Sequence, residues 1–259
     1  MKSQILKFYI VTMTVFGLCF SGLTMASDQV DDAASSQAKD LLKKVDELYR
    51  SDSAFATMEM EVVTPNWQRT MSLQSWSKGM DDTFIRILSP KKDRGVATLK
   101  LEEEMWNYFP KINKVIKVPP SMMMGSWMGS DFTNDDLVKE VSLVEDYEVS
   151  LTETPTIYTL ALIPKEGTVT VWEKIEVDVM RANLLPVEQR YFNEKGDLIR
   201  SMKFDTIKTF NGRTIPARMT MTPHNKPGNS TIIEYKDMVF DQPLPDDVFS
   251  LRNLQKRFK

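Results

Sequence analysis

The chain has 259 residues, with 33 Lys and Arg against 36 Asp and Glu, a net charge of -3, one cysteine and one histidine. So few soft or imidazole ligands exclude zinc fingers, His-rich metal centres, haem ligation and cysteine nucleophiles together. A mildly acidic chain with no long basic run is also a poor nucleic-acid binder.

Residues 1–26 read as a secretory signal peptide that is removed. Lys2 and Lys7 give a positive start, Ile5 to Leu23 is mostly apolar, and Thr24-Met25-Ala26 offers small residues for cleavage. A retained anchor is the rival reading, but Thr12, Thr14 and Gly17 interrupt the apolar run. Lipid attachment at Cys19 would need small neighbours, and Leu18 and Phe20 stand there. Removal takes two lysines and no acid, so the net charge moves from -3 to -5, and the only cysteine is lost. The remaining 27–259, 233 residues, shows no repeat and no Pro/Gly-rich linker, and reads as a single domain.

Asp28 to Ser36 is a polar, flexible lead in this reading. One amphipathic helix follows, its apolar stripe formed by Ala34, Ala38, Leu41, Leu42, Val45, Leu48 and Tyr49, and it stops near Ser51-Asp52-Ser53. The period then changes to two. Ala56, Met58, Met60 and Val62 alternate with polar residues; so do Ile175, Val177 and Val179, and Ile215, Ala217, Met219 and Met221. Residues 83–88, 157–163 and 198–204 alternate less cleanly. Gly79, Gly95, Gly167, Gly196, Asn211-Gly212 and Gly228 mark turns between these runs, and Asn-Gly is the strongest hairpin signal among them. The pattern predicts an antiparallel meander of short strands. Trp76, Phe84, Leu88, Trp106 and Tyr108 leave several strands apolar on both faces, and such strands must be covered twice. A strongly curved sheet closed by the helix around an apolar cavity would do this.

Catalytic groups are scarce. The carboxylate pairs Asp81-Asp82, Asp135-Asp136 and Asp246-Asp247 are sequence neighbours at turns or element starts, suited to solvation or capping. Ser126 in GSWMG is one place early for a nucleophile elbow, and His224 lies in a Pro-bounded turn. No phosphate-cradling or dinucleotide motif is present, so neither an enzyme nor a cofactor is expected. Methionine is abundant, at 17 residues, and suits linings that accept varied ligands. In "PPSMMMGSWMG", Met122, Met123 and Met124 cannot all face one core. The run reads as a mobile lip from Met122 to Met128, followed by a short helix capped by Thr133 or Asn134 with Phe132 turned inward.

"MWNYFPKINKVIKV" (105–118) and "PLPDDVFSL" (243–251) resemble the aromatic strand and terminal acidic-Phe segment of the LolA-like periplasmic lipoprotein carriers. "FIRILSPKKDRGVATLK" (84–100) and "GSDFTNDDL" (129–137) are similar to the branch called outer-membrane lipoprotein-sorting protein. The resemblance implies a mainly β fold: an incomplete antiparallel barrel of about eleven strands, with an N-terminal helix and a short helical lid enclosing an apolar cavity. It implies a monomeric periplasmic carrier of lipoprotein or lipid acyl chains. Its partners would be an inner-membrane exporter of the ABC or RND type and an outer-membrane acceptor. Trp67, Trp76, Phe84, Leu88, Trp106, Tyr108, Met122, Met123, Met124, Trp127, Met128 and Phe132 are expected to line or lid the cavity. In the family a strand arginine holds the lid; by pattern this is Arg86, although an arginine between Ile85 and Ile87 points either inward or out. A sensor module that binds a signalling partner is the second reading, and a hydrolase the third.

Overall fold

The computed structural model describes residues 25–49, 51–79, 81–138, 143–168, 170–245 and 247–256, with the side chains of the first helix described from residue 35 on. The signal-peptide reading therefore falls, up to residue 24, outside the described residues. The first helix, α1 (Met25–Asp46), runs into one 3-10 turn at Glu47–Tyr49. It begins earlier than expected: the polar stretch 28–36 is helical, which its alanines and Gln29 favour.

Thirteen strands follow: β1 (Ser53–Val63), β2 (Gln68–Lys78), β3 (Asp82–Ser89), β4 (Ala97–Leu101), β5 (Glu104–Phe109), β6 (Lys114–Lys117), β7 (Tyr147–Glu153), β8 (Ile157–Pro164), β9 (Lys174–Met180), β10 (Pro186–Phe192), β11 (Leu198–Phe210), β12 (Arg213–Pro223) and β13 (Ser230–Phe240). Between β6 and β7 lie the short helices α2 (Asn134–Val138) and α3 (Leu143–Asp146); α4 (Leu251–Leu254) is the last element among the described residues. All strands join one antiparallel sheet in the order β6-β5-β4-β3-β2-β1-β13-β12-β11-β10-β9-β8-β7. The sheet does not close, because β6 and β7 are its two edges. The expected turns form, with Asn211 (φ 47) and Gly212 (φ 84) both left-handed in the β11–β12 hairpin. Thirteen strands replace the expected eleven, because β4, β5 and β6 are short and lack clean alternation.

Period-two alternation gives the sheet two faces. On the cavity face, α1 lays Ala38, Leu41 and Leu42 against Tyr147, Val149, Leu160 and Val177 of β7–β9. On the outer face of β3–β5, Phe84, Ala97, Leu99 and Tyr108 are buried beneath Val248, Phe249 and Leu254 of the C-terminal segment. The doubly apolar strands are thus covered twice, the outer cover coming from the chain end.

On the outer face of β8–β10, Arg190 donates to Asp178 at 2.6 and 3.1 Å, to Glu188 at 3.0 Å and to Glu176 at 3.1 Å. Burial pushes the Glu176 and Asp178 carboxyls up, but hydrogen bonds from Lys174 and Arg190 to Glu176, and from Arg190 and Thr159 to Asp178, outweigh it. Both therefore titrate below their ordinary values. A depressed carboxylate contributes stability that is full above its unfolded value, about pH 4, and is lost as pH falls through the lower folded value. Arg190→Gln should lower stability at neutral pH and flatten its loss below about pH 4, as read from urea unfolding at a series of pH values. An unchanged acid limb would show that the network carries no such linkage.

Candidate functional site

A cavity of about 380 Å³ lies between the curved sheet and a roof made by α1 and the 118–138 segment. Its floor is rich in methionine: Met58 and Met60 on β1, Met202 on β11, Met219 and Met221 on β12, and Met238 on β13 all line it. They converge because each strand sends alternate residues inward and the register aligns them, with Met202 opposite Met221 and Met219 opposite Ile233. Met58, Met202, Phe204, Met219, Ile233 and Tyr235 are only half-buried, so they front open volume. Leu42, Val45 and Tyr49 close one side. Tyr49 stacks on Tyr235 at 5.8 Å and donates to the Pro216 carbonyl at 2.8 Å. Burial, aided by the neighbouring Tyr235, pushes the Tyr49 phenol far up, so it stays neutral. Asp46, Asp135, Asp136 and Asp146 are the charged residues of the lining; no lysine or arginine lines it among the described residues.

The roof segment is a strap with defined fastenings. Its two arms are tied: Asn134 N donates to the Gly125 carbonyl at 2.9 Å, Asp135 N to Met123 O at 2.7 Å, and Trp127 N to Phe132 O at 2.8 Å. Gly125 is required, since a Cβ there would lie 2.9 Å from the Met122 carbonyl oxygen. The helix after the lip is capped as expected: Thr133 Oγ1 accepts from Asp136 N at 3.1 Å, and Asp136 Oδ2 accepts from Thr133 N at 2.7 Å. Four contacts bind the strap to the sheet. Trp127 is buried among Met60, Met71, Leu73 and Ile85, and its Nε1 donates to Thr98 Oγ1 at 3.1 Å. Arg69 on β2 donates to the Met128 carbonyl. Thr231 on β13 donates to Asp131 Oδ2 at 2.7 Å. Arg200 on β11 donates twice to the Asp136 carboxylate, at 2.8 and 2.6 Å. The strap thus spans from β4 to β11 across the cavity. Arg200 is 5% exposed and is stacked on Tyr191 (4.3 Å) and Trp172 (4.6 Å). Burial opposes its charge, but Asp136 and Tyr191 more than compensate and raise its pKa.

Of the residues expected at the cavity, Trp127 and Phe132 line it. The others do not. Trp76, Phe84, Trp106 and Tyr108 face outward: Trp76 lies between Phe55 (5.1 Å) and Phe84 (5.5 Å), and Lys117 covers Trp106 at 5.5 Å. Leu88 is the extra residue at the register shift between β2 and β3 and is half-buried off the lining. Trp67 is 46% exposed on the β1–β2 turn. Met122 and Met124 are 61% and 45% exposed on the outside of the strap, and Met123 is half-buried; none lines the cavity. Met128 borders a separate hollow beside Arg69 and Phe109. The lip is therefore a fastened strap with an outward methionine run. Arg86 also faces outward, donating to the Asn253 carbonyl at 2.8 Å and lying over Phe84, so it holds the C-terminal segment and not the roof. The arginines that reach the roof are Arg69 and Arg200, the second of which was signalled by its place in the Arg200-Met202-Phe204 alternation.

A Ser–His contact does form, Ser201 Oγ to His224 Nε2 at 3.1 Å, but Ser201 is buried on the face away from the cavity. Among the described residues no group of three His, Cys, Asp or Glu is placed to hold a metal ion, and no helix is long and apolar enough to cross a membrane.

Comparison with known proteins places this geometry. A DUF1329 family protein from Desulfovibrio piger superposes with a TM-score of 0.77 and 22% identity, over 85% of this chain and 99% of the other. An outer membrane lipoprotein-sorting protein domain from Vibrio parahaemolyticus gives 0.73 and 21% over 86% and 100%. A LolA superfamily protein from Nitrosomonas europaea gives 0.69 and 22% over 83% and 98%. No curated protein matches the chain. A family model described as "Uncharacterized protein" matches residues 79–256. The chain belongs to that family, and its fold is LolA-like.

Proposed function

We propose that the protein is a periplasmic carrier that shelters an acyl chain of a lipoprotein or lipid and passes it between membrane components. One observation carries this: a methionine-rich sheet face, half-buried and fronting about 380 Å³ of space, lies under a strap with separable fastenings. That volume falls in the range of small-ligand pockets. Each methylene moved from water into it is worth about 0.8 kcal/mol. Thioether side chains adapt to chains of different length and kink without a fixed complementary shape, which suits a carrier that must also release. Among the described residues no lysine or arginine lines the cavity to pair with a free fatty-acid carboxylate, so the reading favours an esterified or amide-linked acyl chain. An inner-membrane exporter and an outer-membrane acceptor are the proposed partners, for a monomer.

Native mass spectrometry of the protein purified from its own host should show bound acylated species. Met219→Trp, which adds bulk into the open volume, should lower affinity for a fluorescent acyl probe at least tenfold with little change in Tm. An empty wild-type protein that also ignores the probe would end the carrier reading.

A further inference from the structure

The antiparallel meander sends alternate turns to opposite ends of the sheet. The β1–β2, β3–β4 and β5–β6 turns (64–67, 90–96 and 110–113) therefore share one end. They touch there. Arg69 lies 3.6 Å from Asp93 and 5.7 Å from the Trp67 ring, and Arg69, Lys92, Phe109 and Lys111 border one hollow of about 180 Å³. The β12–β13 turn joins them, since a Cβ on Gly228 would lie 3.0 Å from Pro65.

The charge at this end is unlike that of the rest of the chain. The three turns hold four basic residues, Lys91, Lys92, Arg94 and Lys111, and Arg69 and Lys114 stand on the strands beside them, against one acid, Asp93, which is paired with Arg69. Lys226 on the β12–β13 turn adds another cation. At the opposite end, residues 78–82 and 101–104 hold five acids and one lysine. Along the same rim but on the β8–β11 half, residues 165–173 and 193–197 hold two lysines against four acids. In a chain of net charge -3 this is a segregated field. Two large apolar side chains stand among the cations, Trp67 at 46% and Ile112 at 58% exposure, each at a turn tip.

We propose that this basic end docks the protein on an anionic lipid surface, with Trp67 and Ile112 dipping into the interface. Tryptophan favours the membrane–water boundary, and a cluster of lysines and arginines around apolar tips is the chemistry that an anionic leaflet attracts. A flat charged sheet of headgroups meets all three turn tips at once, because one sheet end carries them. The acidic far end orients the molecule in the same sense. The proposal is independent of what the cavity holds.

Vesicle sedimentation tests it with the purified protein, on phosphatidylcholine vesicles and on vesicles one third phosphatidylglycerol. Binding should require phosphatidylglycerol and fall as salt rises. Each base removed near such a surface weakens partition about fivefold, so Lys91→Glu with Lys92→Glu should weaken it more than tenfold. Ile112→Ser should weaken it several-fold, and Trp67→Ala likewise, with thermal melts checked for each variant. Equal binding to both vesicle types, or unchanged binding by both the double reversal and Ile112→Ser, overturns the proposal. If the basic end instead serves an acidic protein partner, the wild-type protein will ignore phosphatidylglycerol vesicles at low salt, which also overturns it. Acyl-probe binding without vesicles should survive these substitutions; its absence alongside intact docking would count against the carrier reading alone.

Discussion

Trp127→Ala should lower the unfolding free energy by about 3–5 kcal/mol, the largest effect expected from a single change in the strap. The indole is buried among Met60, Met71, Leu73, Ile85 and Ile87, and alanine leaves a void that β1–β3 cannot collapse to fill. Its hydrogen bond to Thr98 is also lost, but Thr98 Oγ1 keeps Asn107 Oδ1 at 2.6 Å, so little is added by an unsatisfied partner. Urea unfolding gives the magnitude, and limited proteolysis should cut the variant first within residues 122–135. Met122→Ser and Met124→Ser are the matched controls: both side chains face solvent, so each should change stability by less than about 0.5 kcal/mol. If the methionine variants matched Trp127→Ala, the outward run would have to pack in solution.

Asp136→Ala should cost about 3 kcal/mol, for a different reason. It strands the Arg200 guanidinium, stacked between Trp172 and Tyr191 with almost no access to water, and it removes the acceptor for Thr133 N that starts α2. Removing one member of a buried pair costs more than the pair contributes, because the survivor stays buried and charged. Arg200→Met should cost less, since Asp136 retains partial access to water and keeps its capping bond. The double variant should be more stable than the sum of the single effects, by a coupling free energy above about 1 kcal/mol. An additive double-mutant cycle would show that the bridge does not fasten the strap. On the carrier reading, Asp136→Ala should also speed exchange of an acyl probe, because one fastening on β11 is gone.

The class of fold was legible because alternation and turn chemistry agree along β1, β9 and β12. The lining was half legible. The inward sets Met58-Met60 and Met219-Met221 could be read as faces, but nothing local says that six such methionines meet around a space. The outward aromatics were misread for a physical reason: Phe84 and Tyr108 are covered by Val248, Phe249 and Leu254, and a cover so distant in sequence leaves no local trace. Arg86 and Arg200 show the same limit. Both are strand arginines with an isoleucine just before them, and their roles diverge only through register. Ile85 faces the cavity and turns Arg86 outward; Met202 faces the cavity and brings Arg200 in with it.

The pairing of β1 with β13 has a kinetic consequence. Ala54 lies opposite Phe240, and Val63 opposite Ser230, so the first and last strands form the middle of the sheet. On either side, β1 to β6 and β7 to β13 are runs of neighbours in sequence that hairpin closure can zip early. The central seam must wait for a closure that spans nearly the whole chain, and such long-range pairing is slow. The cavity straddles this seam, drawing its floor from β1 on one side and β11–β13 on the other. On this topology the compartment should be the last part of the chain to form, which pulsed hydrogen exchange of the β1 and β13 amides would check. Until the seam closes, both half-sheets present methionine-rich faces to water, the stage at which a folding chaperone would matter most to this protein.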